Sequence, residues 1–424
     1  MTEIKHIEGS LIGNTYKPHM EFRFSVVIPC VETERLGLVI EHDGPNDATI
    51  GSMLALAEEG KAPYCVCVGV YPADLLLPGD EKRCMRMNNY DLFDREYSDF
   101  LVYELVPYIE ATYGIHIDPS PDMHCVSGGS SGGISAFTIA WFHPEYFRRV
   151  YMSSPSFLAM GRGNEIPYLI RKFETKPLRI YEEYSENEPN DYFGGSKTVA
   201  EEAKEALTFA GYDFKCAYFE NEWHCSRYRD EAEAYKRNEW LWKDWQTKKI
   251  LAPANSPRVD RVIPYGSKWE KCEVFPIAER QSDSLLAKTY DHVVLANDGL
   301  LWYAANAVDD AVYSYVNSDE LSAEKRNTHV MLHTVPKQSQ RGILGMAVDR
   351  TDRLFVLTEM GIQCVRSFGL IDVILDLPDG TKPQNIAVTD ALYVQTEAGV
   401  YKRALCEGCV KENAEKRKQI SYYD

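Results

Sequence analysis

No stretch of this 424-residue chain stays apolar over the length of a membrane span. Its first residues, Met1-Thr2-Glu3-Ile4-Lys5-His6-Ile7-Glu8, hold no apolar core of signal-peptide length. These absences predict a cytoplasmic protein with no membrane partner. Basic charge is also short. The 46 Lys and Arg stand against 64 Asp and Glu, a formal net charge of -18, and a surface of that sign repels nucleic-acid phosphates and anionic lipid alike. Solubility accounts for the acidity. Cysteine is scarce in pairs: the 11 cysteines are an odd number and mostly isolated, which suits a reducing compartment better than a disulfide framework. The lone CxxC, Cys406-Glu407-Gly408-Cys409, lacks a second ligand pair nearby, so neither a metal nor any other cofactor is expected.

What the chain does have is apolar content, 45% hydrophobic and 12% aromatic, and enough length for two domains. Between about residues 20 and 246 strand and helix patterns alternate. Residues 22–29 alternate like a half-buried strand, while Leu36–Ile40 and Tyr64–Val70 are continuous apolar runs with helical spacing between them at Ile50, Met53, Leu54 and Leu56. A longer helix through Phe100, Leu105 and Ile109 ends near Gly114. Strands follow at residues 147–152, 178–181 and 214–219, separated by a short helix around Leu169 and a longer one from Val199 to Gly211. A terminal helix carries Trp240, Leu241, Trp242 and Trp245. This order predicts an α/β fold, an open sheet with helices on both faces. Residues 247–260, with two prolines and no periodicity, read as a linker between a first domain at 1–246 and a second at 261–424. In the second, short strand patterns recur from Leu300 to Lys402, punctuated by turns such as Asn297-Asp298-Gly299, Asp379-Gly380 and Gly399, which predicts a smaller all-β domain of a few four-stranded blades.

The chemistry centres on Ser127-Gly128-Gly129-Ser130-Ser131-Gly132-Gly133, which follows an apolar strand and precedes a helix. A serine hydroxyl is a weak nucleophile, and a strained strand-to-helix turn is what presents it to a histidine. A phosphate-cradling loop would carry Lys after the glycines, where this chain has Ile134. Two Gly-x-Ser-x-Gly registers fit. The first places Ser130 at the tip and Ser131 at the helix start, and Ser130 is taken as the nucleophile. The base must come later in the chain, in the order Ser, acid, His, and His224 follows the last predicted strand of the domain; His42, His116, His124 and His143 lie in the wrong order and are read as structural or surface residues. The acid must come from the loop after residues 178–181, where Glu182, Glu183, Glu186, Glu188 and Asp191 all stand, most of them read as solvated charges. The oxyanion needs two N–H donors. Ser131 supplies one, and Gly44, after an early strand, is assigned the other because Pro45 has no N–H.

The elbow with Ile134-Ser135-Ala136-Phe137, followed by Trp141, Pro144, Phe147 and Ser154-Pro155-Ser156-Phe157, resembles the esterases related to enterochelin esterase and feruloyl esterase. The resemblance continues through Tyr168-Leu169-Ile170-Arg171, Lys176-Pro177, Phe209-Ala210-Gly211-Tyr212-Asp213 and Leu241-Trp242. It implies an α/β-hydrolase fold and ester hydrolysis through an acyl-enzyme. In that family the acid follows a Gly-x-x-Asp spacing, matched here by Ser185-Glu186-Asn187-Glu188, so the resemblance implies a Ser-His-Glu triad with Glu188 as acid and Asp191 in reserve. It also implies a substrate-binding role for Arg86, Tyr90 and Asp91. Where the family has Gly-Gly before the histidine this chain has Glu222-Trp223, and the bulk of Trp223 narrows the expected substrate range. Residues 290–404 resemble the last blades of a regucalcin/gluconolactonase-like propeller, with Leu344 where that family places a metal-binding Asp; a cation site and lactonase chemistry are therefore not expected there. A partial propeller leaves open strand edges, which predicts that this domain packs on its own esterase domain or pairs with a second copy. The expected activity is a serine carboxylesterase on a small acyl or aryl ester, of the sugar or phenolic class. An acyltransferase and a catalytically silent binding scaffold are the alternatives.

Overall fold

The computed structural model of the protein describes residues 2–253, 258–276, 285–334, 342–378 and 382–406. Two compact units emerge, one of Met1–Arg171 with Thr175–Pro253, the other of Lys172–Glu174 with Ala254–Asp424. Part of the linker, the turn Asp379-Gly380 and Cys409 with its neighbours lie outside the described residues.

The first unit is built on one ten-stranded sheet. Its strands are β1 (Ile4–Ile12), β2 (Met20–Pro29), β3 (Gly37–His42), β4 (Cys65–Val70), β5 (Asp74–Leu76), β6 (Lys82–Cys84), β7 (His124–Gly129), β8 (Arg149–Ser153) and β9 (Arg179–Asn187). A two-residue hairpin, β10 (Asn190–Asp191) and β11 (Gly194–Gly195), stands apart, and β12 (Asp213–Trp223) completes the sheet. The order is β12-β9-β8-β7-β3-β4-β2-β5-β6, with β1 also paired to β2. From β12 to β4 every pairing is parallel, and antiparallel pairing begins at β2. Parallel strands buried on both faces should be continuously apolar, and Leu38-Val39-Ile40 and Cys65-Val66-Cys67-Val68 are buried throughout.

The helices are α1 (Asp47–Glu58), α2 (Arg86–Tyr90), α3 (Glu96–Phe100), α4 (Val106–Tyr113), α5 (Ser131–Phe142), α6 (Ile166–Lys172), α7 (Ser196–Ala210) and α8 (Glu231–Leu241). Asn46 and Asp230 cap α1 and α8 through their side chains, while Gly114 and Gly211, at φ 65° and 78°, end α4 and α7 in the left-handed conformation that glycine adopts without strain. A π turn, Leu101–Leu105, joins α3 to α4 just before Pro107, whose missing N–H cannot close an α-helical bond. Ile50, Met53 and Leu56 of α1 and Leu241 of α8 pack with Trp242 on Val39, Cys67, Cys125, Tyr151 and Tyr181. Alternate residues of the same strands, Val126, Val150 and Ile180, point to the other face, where α5 packs on β7 and β8 and α7 on β9.

Among the described residues the second unit holds three four-stranded antiparallel sheets. Strands β14 (His292–Leu295), β15 (Leu301–Ala305), β16 (Ala311–Val316) and β17 (Asn327–Met331) form one, and β18 (Gly345–Val348), β19 (Leu354–Thr358), β20 (Gly361–Val365) and β21 (Ile371–Leu375) the next. In the third, β13 (Glu270–Cys272), the first strand of the unit, pairs with β24 (Gly399–Ala404), followed by β23 (Ala391–Thr396) and β22 (Pro383–Val388). Phe355, Leu357, Ile362, Val373, Leu392 and Val394 make a core shared by the last two sheets.

Candidate active site

Five parallel strands, β3, β7, β8, β9 and β12, end at the same edge of the sheet, so the residues just past them are brought together: Asp43, Ser130, Ser154, Glu188 and His224. After β3 the chain moves outward to β4, and β7 then returns to the other side of β3. The sheet therefore reverses its winding between these two strands, the crevice where open α/β sheets bind ligands. Backbone strain gathers at this edge. Of the ten non-glycine residues with positive φ among the described residues, Asp43 (63°), Ser130 (57°), Ser154 (44°), Asn221 (57°) and Cys225 (55°) lie at or beside these strand ends. Strain of this kind persists where surrounding structure enforces it, commonly at functional sites.

Ser130 sits between β7 and α5 at φ 57° and ψ -123°, held by its N–H to the Ser153 carbonyl at 2.8 Å. The glycines around it are required for closeness rather than for their own dihedrals. A methyl on Gly128 would lie 2.3 Å from the Gly132 carbonyl oxygen, and one on Gly132 would lie 2.9 Å from His42 Cβ. The left-handed backbone falls on the serine itself. Its Oγ shares a hydrogen bond with Ser156 Oγ at 3.0 Å.

His224 follows β12 directly, and its Nδ1 pairs with Glu188 Oε2. The Glu188 carboxylate is 1% exposed and also accepts the Ser154 hydroxyl at 2.6 Å and the Ser185 N–H at 3.0 Å. Burial raises the Glu188 carboxyl, but its bonds to His224, Ser154 and Ser185 outweigh this and hold it below the usual range. Burial likewise lowers the His224 imidazole, and hydrogen bonds to Cys225 and Glu188 reverse the effect, lifting it to about 10. The loop reaches the elbow through Cys225, whose N–H donates to Ser154 Oγ at 3.0 Å and whose Sγ lies 3.2 Å from where a Gly129 methyl would be. Asp191 sits in the exposed β10 hairpin and accepts from the Phe193 N–H of its own loop at 2.9 Å.

Several expectations need correction. Glu182 and Glu183 are not solvated loop charges: β9 continues to Asn187 alongside β12, and both side chains are buried. Glu183 accepts from Tyr151 and from the Ser153 hydroxyl at 2.8 Å, beside the Arg237 guanidinium. Gly44 does not offer a free N–H, because Asp43 turns the chain through the left-handed region and directs the Gly44 amide to the Val70 carbonyl at 3.2 Å. The Asp43 N–H faces the Tyr90 hydroxyl at only 3.4 Å. Tyr90 is 1% exposed and Asp91 is also buried, so neither presents a surface to substrate. Arg86 donates Nε and Nη2 to Asp43 at 2.8 Å each, over the face of Tyr90, and so braces the loop after β3. Trp223 is 69% exposed next to His224. His42, His124 and His143 are buried; His42 bonds the Ser127 carbonyl at 2.8 Å, and burial pushes it down to about 4, so it stays neutral. Ser154, Ser156 and Asp43 carried no signal of a role in the sequence beyond the Ser-Pro-Ser string and the turn after a buried strand.

A strand-to-helix elbow on the switch point of a parallel sheet, with a histidine-carboxylate pair at the same edge, is an architecture of hydrolases, and the family match of residues 18–160 supports a hydrolase acting on carboxylic esters. Residues 18–160, from just before β2 to just past β8, match the family model Esterase, described as "Putative esterase". No curated protein matches the chain. Among solved structures it is similar to a ferulic acid esterase at 14% identity, with 57% of this chain and 98% of that one covered and a TM-score of 0.43. It is similar also to the enterochelin esterase of Shigella flexneri at 15% identity, covering 57% of this chain and 58% of that one with a TM-score of 0.42. A third is the siderophore hydrolase EstB of Aspergillus nidulans, at 14% identity, 58% and 96% coverage and a TM-score of 0.40. No helix among the described residues is long and apolar enough to cross a membrane.

Proposed function

We propose that the chain is a serine carboxylesterase that works through an acyl-enzyme, with Ser130 as nucleophile, His224 as general base and Glu188 as the acid that orients it. The observation that carries this reading is the pairing of His224 Nδ1 with the buried Glu188 at the same sheet edge as the strained Ser130. Glu188 fixes the tautomer with the proton on Nδ1, leaving Nε2 to accept. For attack, Ser130 Oγ turns from Ser156 toward His224, gives up its proton to Nε2 and bonds the ester carbon. The proton then passes from His224 to the departing alkoxide, and water repeats the sequence to release the acid. The oxyanion faces the Ser131 N–H at the head of α5, where helix amides have no partner within the helix, and the Asp43 N–H, which replaces Gly44 in this role. Arg86 braces the Asp43 carboxylate, and the Asp43 amide exchanges its long 3.4 Å bond to the Tyr90 hydroxyl for the oxyanion.

The substrate class is a small acyl or aryl ester, of the sugar or phenolic kind, entering beside the exposed Trp223. The second unit reads as three blades of a propeller-like fold, supported by its three four-stranded sheets and by the pairing of its first strand with its last. The test uses a fluorophosphonate probe and a panel of p-nitrophenyl and aryl esters. Wild type is expected to label and to hydrolyse, Ser130→Ala to lose both, and Ser131→Ala to keep labelling. A wild type that neither labels nor hydrolyses points to a silent scaffold. Product analysis with added alcohols separates transfer from hydrolysis.

A further inference from the structure

The residue that joins the base to the acid is neither of them. Ser154, 3% exposed, follows β8 at φ 44° and immediately precedes Pro155. Its hydroxyl donates to Glu188 Oε1 at 2.6 Å and accepts the Cys225 N–H at 3.0 Å. One oxygen therefore ties the acid, carried past β9, to the chain immediately after His224, carried past β12. Its own N–H is fixed to the Glu183 carbonyl at 2.7 Å, and the carbonyl of the preceding residue, Ser153, receives the Ser130 N–H at 2.8 Å. All three loops of the proposed triad converge on the Ser153-Ser154 peptide. Holding a non-glycine residue at positive φ ahead of a proline costs on the order of 1–3 kcal/mol, and a glycine would hold that backbone without strain. The hydroxyl is what a glycine lacks.

We infer that Ser154 is a positioning residue for the esterase reaction, a hydroxyl clamp that fixes Glu188 and the His224 loop in register with Ser130. The inference rests on the triad reading given above. A carboxylate held by two side-chain donors keeps one orientation, so the imidazole it steers keeps one orientation too. Removing the Ser154 donor leaves Glu188 Oε1 with the Ser185 N–H alone and releases the Cys225 amide. Both changes loosen the base without touching the substrate.

The experiment compares Ser154→Ala and Ser154→Gly with wild type and Ser130→Ala in the full chain, following kcat, KM, the pH profile of kcat/KM and thermal melting. Both Ser154 variants are expected to lose about 10- to 100-fold in kcat, the range for a hydrogen bond to a charged group, with KM unchanged. The acid limb of the profile, set by His224, moves to higher pH, because a carboxylate with one donor fewer is more basic and holds the imidazolium more firmly. Ser154→Gly melts at or above Ser154→Ala, since it relieves the backbone. In one-dimensional proton NMR, wild type gives a far-downfield resonance that disappears in Glu188→Gln, and this resonance shifts or broadens in both Ser154 variants. If Ser154→Gly keeps full activity and an unchanged acid limb and resonance, Ser154 is only structural and the inference fails. Retained activity in Ser130→Ala overturns the triad reading instead.

Discussion

His224 carries opposite demands. To accept the Ser130 proton it must be neutral, yet its pairing with Glu188 and the neighbouring Cys225 favours the imidazolium up to about pH 10. Since the raised value belongs to the free enzyme, kcat/KM is expected to climb with pH well past the range of an ordinary histidine and to level only in alkaline solution. Glu188→Gln removes the carboxylate that favours the imidazolium, and should move the rising limb toward neutrality. A pH-rate profile of the two proteins checks this, and identical limbs would sink the account. Glu188→Gln should cost about 10^3- to 10^4-fold in kcat, the scale seen when a triad acid can no longer hold the tautomer. The proposed nucleophile and base follow from the elbow motif and chain order, and Glu188 only from the family resemblance, because chain order left several carboxylates open. Ser154 follows from neither, because its role depends on two loops 34 and 71 residues away meeting at one oxygen.

The turn between β7 and α5 works only because backbone meets backbone there. With the Gly132 carbonyl 2.3 Å from a Gly128 methyl, no side chain can yield, so Gly128→Ala should destabilise by about 3 kcal/mol or more or fail to fold. Gly51, inside α1 with nothing within 4 Å of its would-be methyl, is the opposite case, and Gly51→Ala should stabilise by about 1 kcal/mol. Chemical denaturation of both variants tests the contrast. The buried strands β3, β4, β7 and β8 were legible as apolar runs, and α1, α5 and α7 as periodic ones. β1 was not, since Ile4–Ile12 alternates exposed and half-buried positions and carries Lys5, His6 and Glu8. β17 escaped for the same reason, with Asn327 and Thr328 exposed, and β14 because His292–Leu295 is only four residues long. β9 reads as shorter than it is in the sequence, because a run of carboxylates resembles a loop. Only the parallel partner β12 and the Tyr151, Ser153 and Arg237 side chains explain why Glu183 is accommodated inside.

The chain as a whole is strongly acidic, and among the described residues the first sheet of its second unit ends in β17, which has no further strand beside it, whereas β21 is bridged by Phe173. Val316 and Met331, on β16 and β17, are more than half exposed. Exposed apolar strand edges invite pairing, and we expect two copies to associate through this unit. Light scattering should give about twice the 48.4 kDa chain mass, and replacing Met331 by Lys should return the monomer; a wild-type monomer at all salt concentrations would remove the expectation.

The pairing of β13 with β24 has a further result for how the protein is made. Residues 270–272 leave the ribosome more than a hundred residues before the strand that completes their sheet. Until Gly399–Ala404 emerges, β13 has no neighbour and the third sheet has only two strands to form. The hydrolase strands, whose partners are all in the first 223 residues, have no such wait. A chain stalled or cut before Gly399 would carry a finished catalytic sheet attached to an unsealed one, the kind of species that chaperones bind.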